Sequence, residues 1–348
     1  MTSLFAPLRL RLDSAALVDN WRWLAKASGE AACGAAVKAD GYGLGAVAVV
    51  ERLAAAGCRD FFVSNWIEAV QLLPHLPAGA DLSVLHGVRD EDMPVALASR
   101  ARPVLCTLEQ IARWRQAGGG ICDLMVDTGM NRLGLDWRGP LEDWTQGLAI
   151  DTLHSHLVSA DEEGPLSAAQ QTRFADAAAR IPTRRASLAN SAGIILGRDY
   201  HFNLTRPGLA LYGGVPREEC VGAIRQVVFP QAQALQRRRV IAGDTVGYNA
   251  IFQADADMEI AILNIGYADG YLRGFSARGT VRHEGRRLPV LGRVSMDMIA
   301  IGVTDAPDLR EGDWVDIDYA LPEAARQSGL SQYELLTGLG PRFDRIWS

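Results

Sequence analysis

From residue 35 to about residue 212 the chain repeats one rhythm, and that rhythm limits the fold more than any other feature. Short apolar or β-rich runs recur at 35–37, 61–64, 82–85, 103–106, 123–127, 152–156, 186–190 and 209–212. Stretches with helical spacing separate most of them, at 46–56, 67–73, 108–116 and 168–180. Runs of four or five residues without strict alternation suit strands covered on both faces, which is the condition of a parallel sheet wrapped in helices. Eight such βα units in about 220 residues have the size and order of an α/β fold of the (β/α)8 TIM-barrel type, with a doubly wound sheet as the alternative.

Near residue 225 the texture changes. Strand-like runs at 258–265, 281–290, 298–303 and 314–317 lie between turn sequences such as 242–244, 283–285 and 310–313, and 331–336 reads as a short helix. The expected organisation is a barrel over 1–225 and a mostly β domain over 226–348. Residues 8–12 alternate apolar and basic side chains like a half-exposed strand, so 1–12 are available to pair with the C-terminal part.

Composition excludes several functions. With 48% hydrophobic residues among 348, the chain can build a large core, and its net charge of −6 disfavours nucleic acid as a partner. No run of 18 apolar residues is present to span a membrane, and Met1 to Phe5 lack the pattern of a secretion signal. Five widely spaced cysteines, an odd number without a Cys-x-x-Cys, sit in or beside apolar runs. Buried reduced thiols and a cytoplasmic location are expected. His154 and His156 alternate on one strand face, but no third residue completes metal-ligand spacing, so no metal is expected.

In a barrel, chemistry gathers where strands end at the C-terminal face. Those positions hold Lys38, Asp127 to Arg132, His156, Asn190-Ser191 and Arg206. A strand-end lysine can be a snorkelling surface residue, or a desolvated amine able to attack a carbonyl. Gly41, Gly43 and Gly45 let the backbone approach a ligand, and the helix after them suits an anion such as phosphate. Arg206 can equally be a strand-end salt bridge, His156 a core histidine, and Asn190-Ser191 a helix cap. Together at strand ends, these side chains suit an anionic, aldehyde-bearing cofactor.

The chain resembles the alanine racemase family from about Leu8 to Arg345. The barrel motifs are Val37-Lys38-Ala39-Asp40-Gly41-Tyr42-Gly43, Asp127-Thr128-Gly129-Met130-Asn131-Arg132-Leu133-Gly134, Ala189-Asn190-Ser191-Ala192 and Arg206-Pro207-Gly208-Leu209-Ala210-Leu211-Tyr212-Gly213. In the second domain they are Val246-Gly247-Tyr248, Gly266-Tyr267-Ala268-Asp269-Gly270 and Gly292-Arg293-Val294-Ser295-Met296-Asp297.

The resemblance implies a pyridoxal 5'-phosphate enzyme that interconverts L- and D-alanine by two bases, and so supplies D-alanine for a bacterial wall. Lys38 would hold the cofactor as an internal aldimine and then act as a base on one face. Tyr248 would be the base on the other face, contributed by the second subunit of a homodimer with shared sites. Tyr42, Ser191 and the backbone around Gly208 and Leu209 would bind the phosphate, with Asn190 beside them. Arg206 would face the pyridine nitrogen, His156 would lie near the ring, and Arg132 would support the cofactor phenolate and the substrate. Tyr267 and Met296 would line the substrate pocket from the partner. A tyrosine base needs its pKa brought well below ~10 by positive charge or hydrogen bonds, and His156 is a candidate source.

Several positions depart from the family's common pattern. The lysine loop usually reads Lys-Ala-Asn-Ala-Tyr-Gly-His-Gly, whereas Asp40, Gly41 and Leu44 stand here. Many members carry a lysine, often carbamylated, where this chain has Met125. Ser295 replaces a common cysteine, Asn249 replaces a glycine, and no tyrosine around 338–342 matches a C-terminal phosphate contact. Competing readings are a racemase of serine, lysine or a broad range of amino acids, a decarboxylase with a similar barrel, and a non-catalytic cofactor carrier. A nucleotide-binding domain fits less well, because the glycine spacing is not Gly-x-Gly-x-x-Gly.

Overall fold

The computed structural model describes residues 6–348, so residues 1–5, read above for a leader pattern, lie outside the described residues. The chain divides into two compact units, one running to Ala16 and resuming over Gln226–Ser348, the other Leu17–Arg225.

Leu17–Arg225 holds a barrel of parallel strands. Its strands are Ala32–Cys33 with Ala35–Ala36, Asp60–Val63, Asp81–Val84, Arg102–Leu105, Cys122–Asp127, Ile150–His154, Arg185–Ser187 and Leu204–Thr205. Neighbours pair in parallel from 35–36 through to 185–187. Closure uses backbone bonds on both sides of the last strand: Asn203 N–H to Ala186 O and Arg206 N–H to Ala189 O, then Gly34 N–H to Thr205 O and Ala36 N–H to Pro207 O. The eighth strand is therefore 204–205. The run expected there, Leu209–Tyr212, is a 3-10 helix packed entirely inside, its apolar character reflecting burial rather than extension. Helices Ala46–Ala56, Trp66–Leu72, Leu108–Gln116 and Pro165–Arg180 form at the expected places, and Gly57 ends the first in a left-handed C-cap.

The N-terminal ends of the strands are closed by an ion cluster. Arg185 bonds Asp60 at 2.7 Å and Asp151 at 3.1 Å, and Arg102 bonds Asp151 at 2.6 Å and also Asp81. Each of these residues is at or next to the start of its strand, so the cluster lies at the end of the barrel away from Lys38.

The other unit is an antiparallel barrel. Its strand order is 258–263, 299–302, 286–291, 280–283, 314–317, 228–240, 8–12, 344–347, and pairing of 228–240 with 258–263 closes it. The 13-residue strand Val228–Val240 can serve both ends because its register shifts between Ala234 and Gln236. Leu8–Leu12 pairs antiparallel with 228–232 and parallel with Asp344–Trp347. The run read as one strand at 281–290 is a hairpin, Thr280–His283 and Arg286–Leu291, turning at Glu284-Gly285. Helix Leu321–Ser328 and strand Asp344–Trp347 carried no clear signal in the sequence, and of Val228–Val240 only the basic cluster 237–239 reads as the solvated part of a strand.

Candidate active site

Strand Ala35–Ala36 hands the chain to Lys38, and the backbone then reverses its hand. Ala39, Asp40, Gly41, Tyr42 and Gly43 all have positive φ, between 53° and 84°. Three of the five carry side chains, and each non-glycine residue in this region costs roughly 1–2 kcal/mol. Bonds from Gly43 N–H to Ala39 O and Gly45 N–H to Asp40 O hold the turn. The Asp40 carboxylate accepts the Ala46 N–H at 2.8 Å, so the helix start read above as an anion site already has its anion. Lys38 is half-buried, and its pKa is pushed down by desolvation, by Arg132 and by Arg206, against an opposing pull from Glu68.

The hydroxyl and amide groups read above as phosphate contacts bond one another. Asn190 caps helix Ser191–Ile195 by accepting the Gly193 N–H at 2.9 Å. This cap leaves the Ser191 hydroxyl free for another role, accepting from Gly208 N–H at 2.9 Å and Ala210 N–H at 3.2 Å. Tyr42 packs on Tyr212 with ring centroids 4.6 Å apart. A Cβ on residue 208 would come within 2.2 Å of the Tyr42 hydroxyl, so only glycine lets that hydroxyl and the 208–209 backbone share one small space.

Arg206 is buried and makes no ion pair among the described residues, which removes the salt-bridge alternative. Its guanidinium donates to the Ser187 hydroxyl and the Ser155 carbonyl, and lies 5.9 Å from the Phe62 ring centre. Burial pulls its pKa down to about 10, with the buried Asp123 opposing, so it stays charged at neutral pH. His156 is different. Desolvation and the charges of Arg206, Arg132 and Lys38 push its pKa down to about 3. It is therefore neutral, which removes positive charge, though not hydrogen bonding, from the two roles considered for it above. Its strand neighbour His154 is no partner ligand but a core residue, with Nε2 3.4 Å from Asp123.

Arg132 sits on a loop shaped by one carboxylate. Asp127 accepts backbone N–H groups from Gly129 at 2.8 Å, Met130 at 2.9 Å and Arg132 at 2.8 Å. Burial opposes ionisation of Asp127, but these bonds outweigh it and its pKa falls. The loop borders a cavity of about 430 Å³ lined by Arg132, Asn131, Arg138 and Arg173. Met125 packs with Val104 and Cys106, so no anion stands where the family often has a modified lysine.

In the antiparallel unit, Tyr248 follows Gly247 (φ 78°) in a tight turn between Thr245–Val246 and Phe252–Gln253, and is 65% exposed. Tyr267 and Met296 are brought together: Tyr267 N–H bonds Ser295 O and Ala268 N–H bonds Met296 O, both at 3.0 Å. A Cβ at Gly266 would strike the Met296 carbonyl at 2.3 Å. Two residues missed in the sequence hold this pair. Asp269, fully buried, accepts Gly266 N–H and two bonds from Arg342, which also reaches Asp297 at 2.7 Å. Asp269 was visible inside the Gly-Tyr-Ala-Asp-Gly motif, but Arg342 had no local signal. His283, Glu284 and Asp308 also lie close together, with Arg286 already bonding both carboxylates.

A lysine amine with lowered pKa, a buried arginine, and a serine hydroxyl bonded to backbone amides all lie at or beyond the strand ends of a parallel barrel. Residues 12–216 match the alanine racemase N-terminal domain and residues 227–347 the C-terminal domain. The chain is 42% identical over 351 residues to alanine racemase of Acidiphilium cryptum, covering 97% of this chain and 98% of that one. It is 39% identical to the biosynthetic alanine racemase of Agrobacterium fabrum, with 98% and 93% covered. The crystal structure of alanine racemase from Bartonella henselae with covalently bound pyridoxal phosphate superposes with a TM-score of 0.91 at 35% identity, covering 99% of this chain and 100% of that one. The chain belongs to the alanine racemase family.

Proposed function

We infer that the protein is a pyridoxal phosphate-dependent isomerase interconverting L- and D-alanine, with Lys38 and Tyr248 as its two bases. The observation that carries this reading is the desolvated Lys38 amine flanked by Arg132 and Arg206. The residues present fit the cofactor: Lys38 for its aldehyde, Arg206 for the ring nitrogen, and Tyr42, Ser191, Gly208 and Leu209 for its phosphate. When bound, the cofactor supplies an electron sink that acidifies the substrate Cα–H.

The chain's own groups do the rest. Lys38, whose ammonium form is disfavoured by desolvation and by Arg132 and Arg206, takes or returns the Cα proton on one face. Tyr248 handles the proton on the opposite face. Inversion requires one base per face, because the substrate does not turn over between the two transfers. Arg206 stays protonated, so it would donate to the ring nitrogen without surrendering a proton. A donor that keeps its proton would limit charge delocalisation into the ring and so side reactions. Arg132 orients the substrate carboxylate, and neutral His156 can pack near the ring without adding charge. Tyr267 and Met296 bound the pocket and favour a small side chain such as methyl.

The exposure of Tyr248 supports its delivery to the site of a second copy, making a homodimer with shared sites. The cofactor-binding barrel would then be residues 17–225, and the β domain 226–348 joined by the N-terminal strand Leu8–Leu12. No helix among the described residues is long and apolar enough to cross a membrane. Five buried, unpaired cysteines support a cytoplasmic location.

Borohydride treatment of the purified protein should fix the cofactor to Lys38, located by peptide mass mapping. Initial rates on a panel of L-amino acids should be highest with alanine; label on another lysine, or alanine trailing serine or lysine, refutes the assignment.

A further inference from the structure

One carboxylate beside the lysine has no role in the chemistry described so far. Glu68 lies in helix Trp66–Leu72, which starts at the end of the second strand. Its Oε1 accepts the Ala39 N–H at 2.9 Å, the first peptide N–H after Lys38. Its Oε2 accepts the Ser64 N–H at 2.7 Å, at the end of the neighbouring strand. Asn65 Oδ1 in turn accepts the Glu68 N–H at 3.1 Å, fixing the helix turn that aims the carboxylate. Glu68 therefore ties the entry of the left-handed turn, where strain begins, to the rigid sheet.

Its charge matters as much as its bonds. The charged and titratable groups around the Lys38 amine are Arg132, Arg206, His156 and Glu68. Two are cations and His156 is neutral, so Glu68 is the one that favours the ammonium form. A base that takes a proton must hold it until it is returned, and two arginines alone would make that state too costly. We propose that Glu68 is a positioning residue for Lys38, fixing the turn that carries it and supplying the negative charge that lets the amine keep the proton it takes. The proposal rests on Lys38 being the cofactor lysine and one of the two bases.

The test reads the amine directly. Full-length protein stripped of cofactor is mixed with pyridoxal phosphate across a pH series and quenched with borohydride, and label at residue 38 is quantified by mass spectrometry. Attachment needs the free amine: its lone pair forms the bond to the aldehyde carbon, and the oxygen leaves as water with the two protons that nitrogen gives up. In Glu68→Gln the midpoint of the pH–rate curve should move down by about one unit, the low end of what one nearby opposite charge supplies. Glu68→Ala should show the same shift, and slower attachment at every pH because the turn is no longer tied. Slowing without a shift of the midpoint in both variants overturns the proposal, since a purely structural role predicts that result. Lys38→Ala separates the two readings: if it still takes up label, the lysine assignment fails, whatever Glu68 does.

Discussion

The Asp127 carboxylate accepts the peptide N–H of Arg132 at 2.8 Å, so the arginine is positioned through its backbone rather than by an anion touching its side chain. Asp127→Ala should therefore loosen the whole 127–134 loop. Loss of a charge-assisted bond of about 1.5–3 kcal/mol predicts a fall in kcat/KM of roughly ten- to a hundredfold, most of it in KM. The apolar setting of Met125 gives a companion expectation: stripping carbon dioxide and bicarbonate from the buffer leaves initial rates unchanged. A rate that recovers on adding bicarbonate would contradict it.

Tyr248→Phe keeps the ring and removes the acid–base group. Racemisation should fall roughly 10²–10⁴-fold while the visible absorbance of the bound cofactor persists. Mixing inactive Lys38→Ala and Tyr248→Phe proteins should regenerate part of the activity, because a hybrid dimer holds one intact pair of bases. No recovery under conditions of proven subunit exchange would rule out a site shared in this way.

Acid should destabilise the fold through His156 and His154. The folded pKa of His156 is held near 3 by desolvation and surrounding cations, below the ordinary 6.5, and burial lowers that of His154 too. The unfolded chain binds these protons more readily, so the contribution is complete above pH 6.5 and is lost as pH falls from there toward 3. Urea midpoints between pH 8 and 4 should drop accordingly, and His156→Gln should flatten the slope. An unchanged slope in the variant would mean that other groups carry the dependence.

Arg185 pairs with three carboxylates, Asp60, Asp81 and Asp151, at the closed end of the barrel. Arg185→Ala leaves Asp60 and Asp151 short of a buried cation and should cost about 3–5 kcal/mol in urea denaturation. Below its melting transition the variant should keep a near-normal kcat/KM, since the cluster is at strand starts and Lys38 at a strand end. A large kcat loss with unchanged stability would reverse that division.

Much of the barrel could be read from the chain because its cause is local. Apolar runs such as 61–64 and 103–106, alternating with amphipathic helices, have few other ways to bury both faces. The eighth strand could not be read so. Leu204–Thr205 is two residues long, while the more apolar 209–212 next to it coils inward, and hydrophobicity records burial rather than conformation. The hairpin at 280–291 was half legible: 283–285 carries a turn signal although 281–290 reads as one strand, and the cross-strand register is set only on folding.

The candidate site divides along the same line. Residue identity and order alone established Lys38, Arg206 and Tyr248 as chemical candidates and tied them to a family, because motif chemistry is written in adjacent residues. Protonation and support came from folding. His156 is held neutral by desolvation first, and then by Arg206, Arg132 and Lys38, which converge on it from separate elements. Glu68 meets the peptide after Lys38, 29 residues distant in sequence, and Arg342 grips Asp269 across 73. Electric fields and hydrogen bonds depend on distance in space, and the closure of a barrel sets those distances.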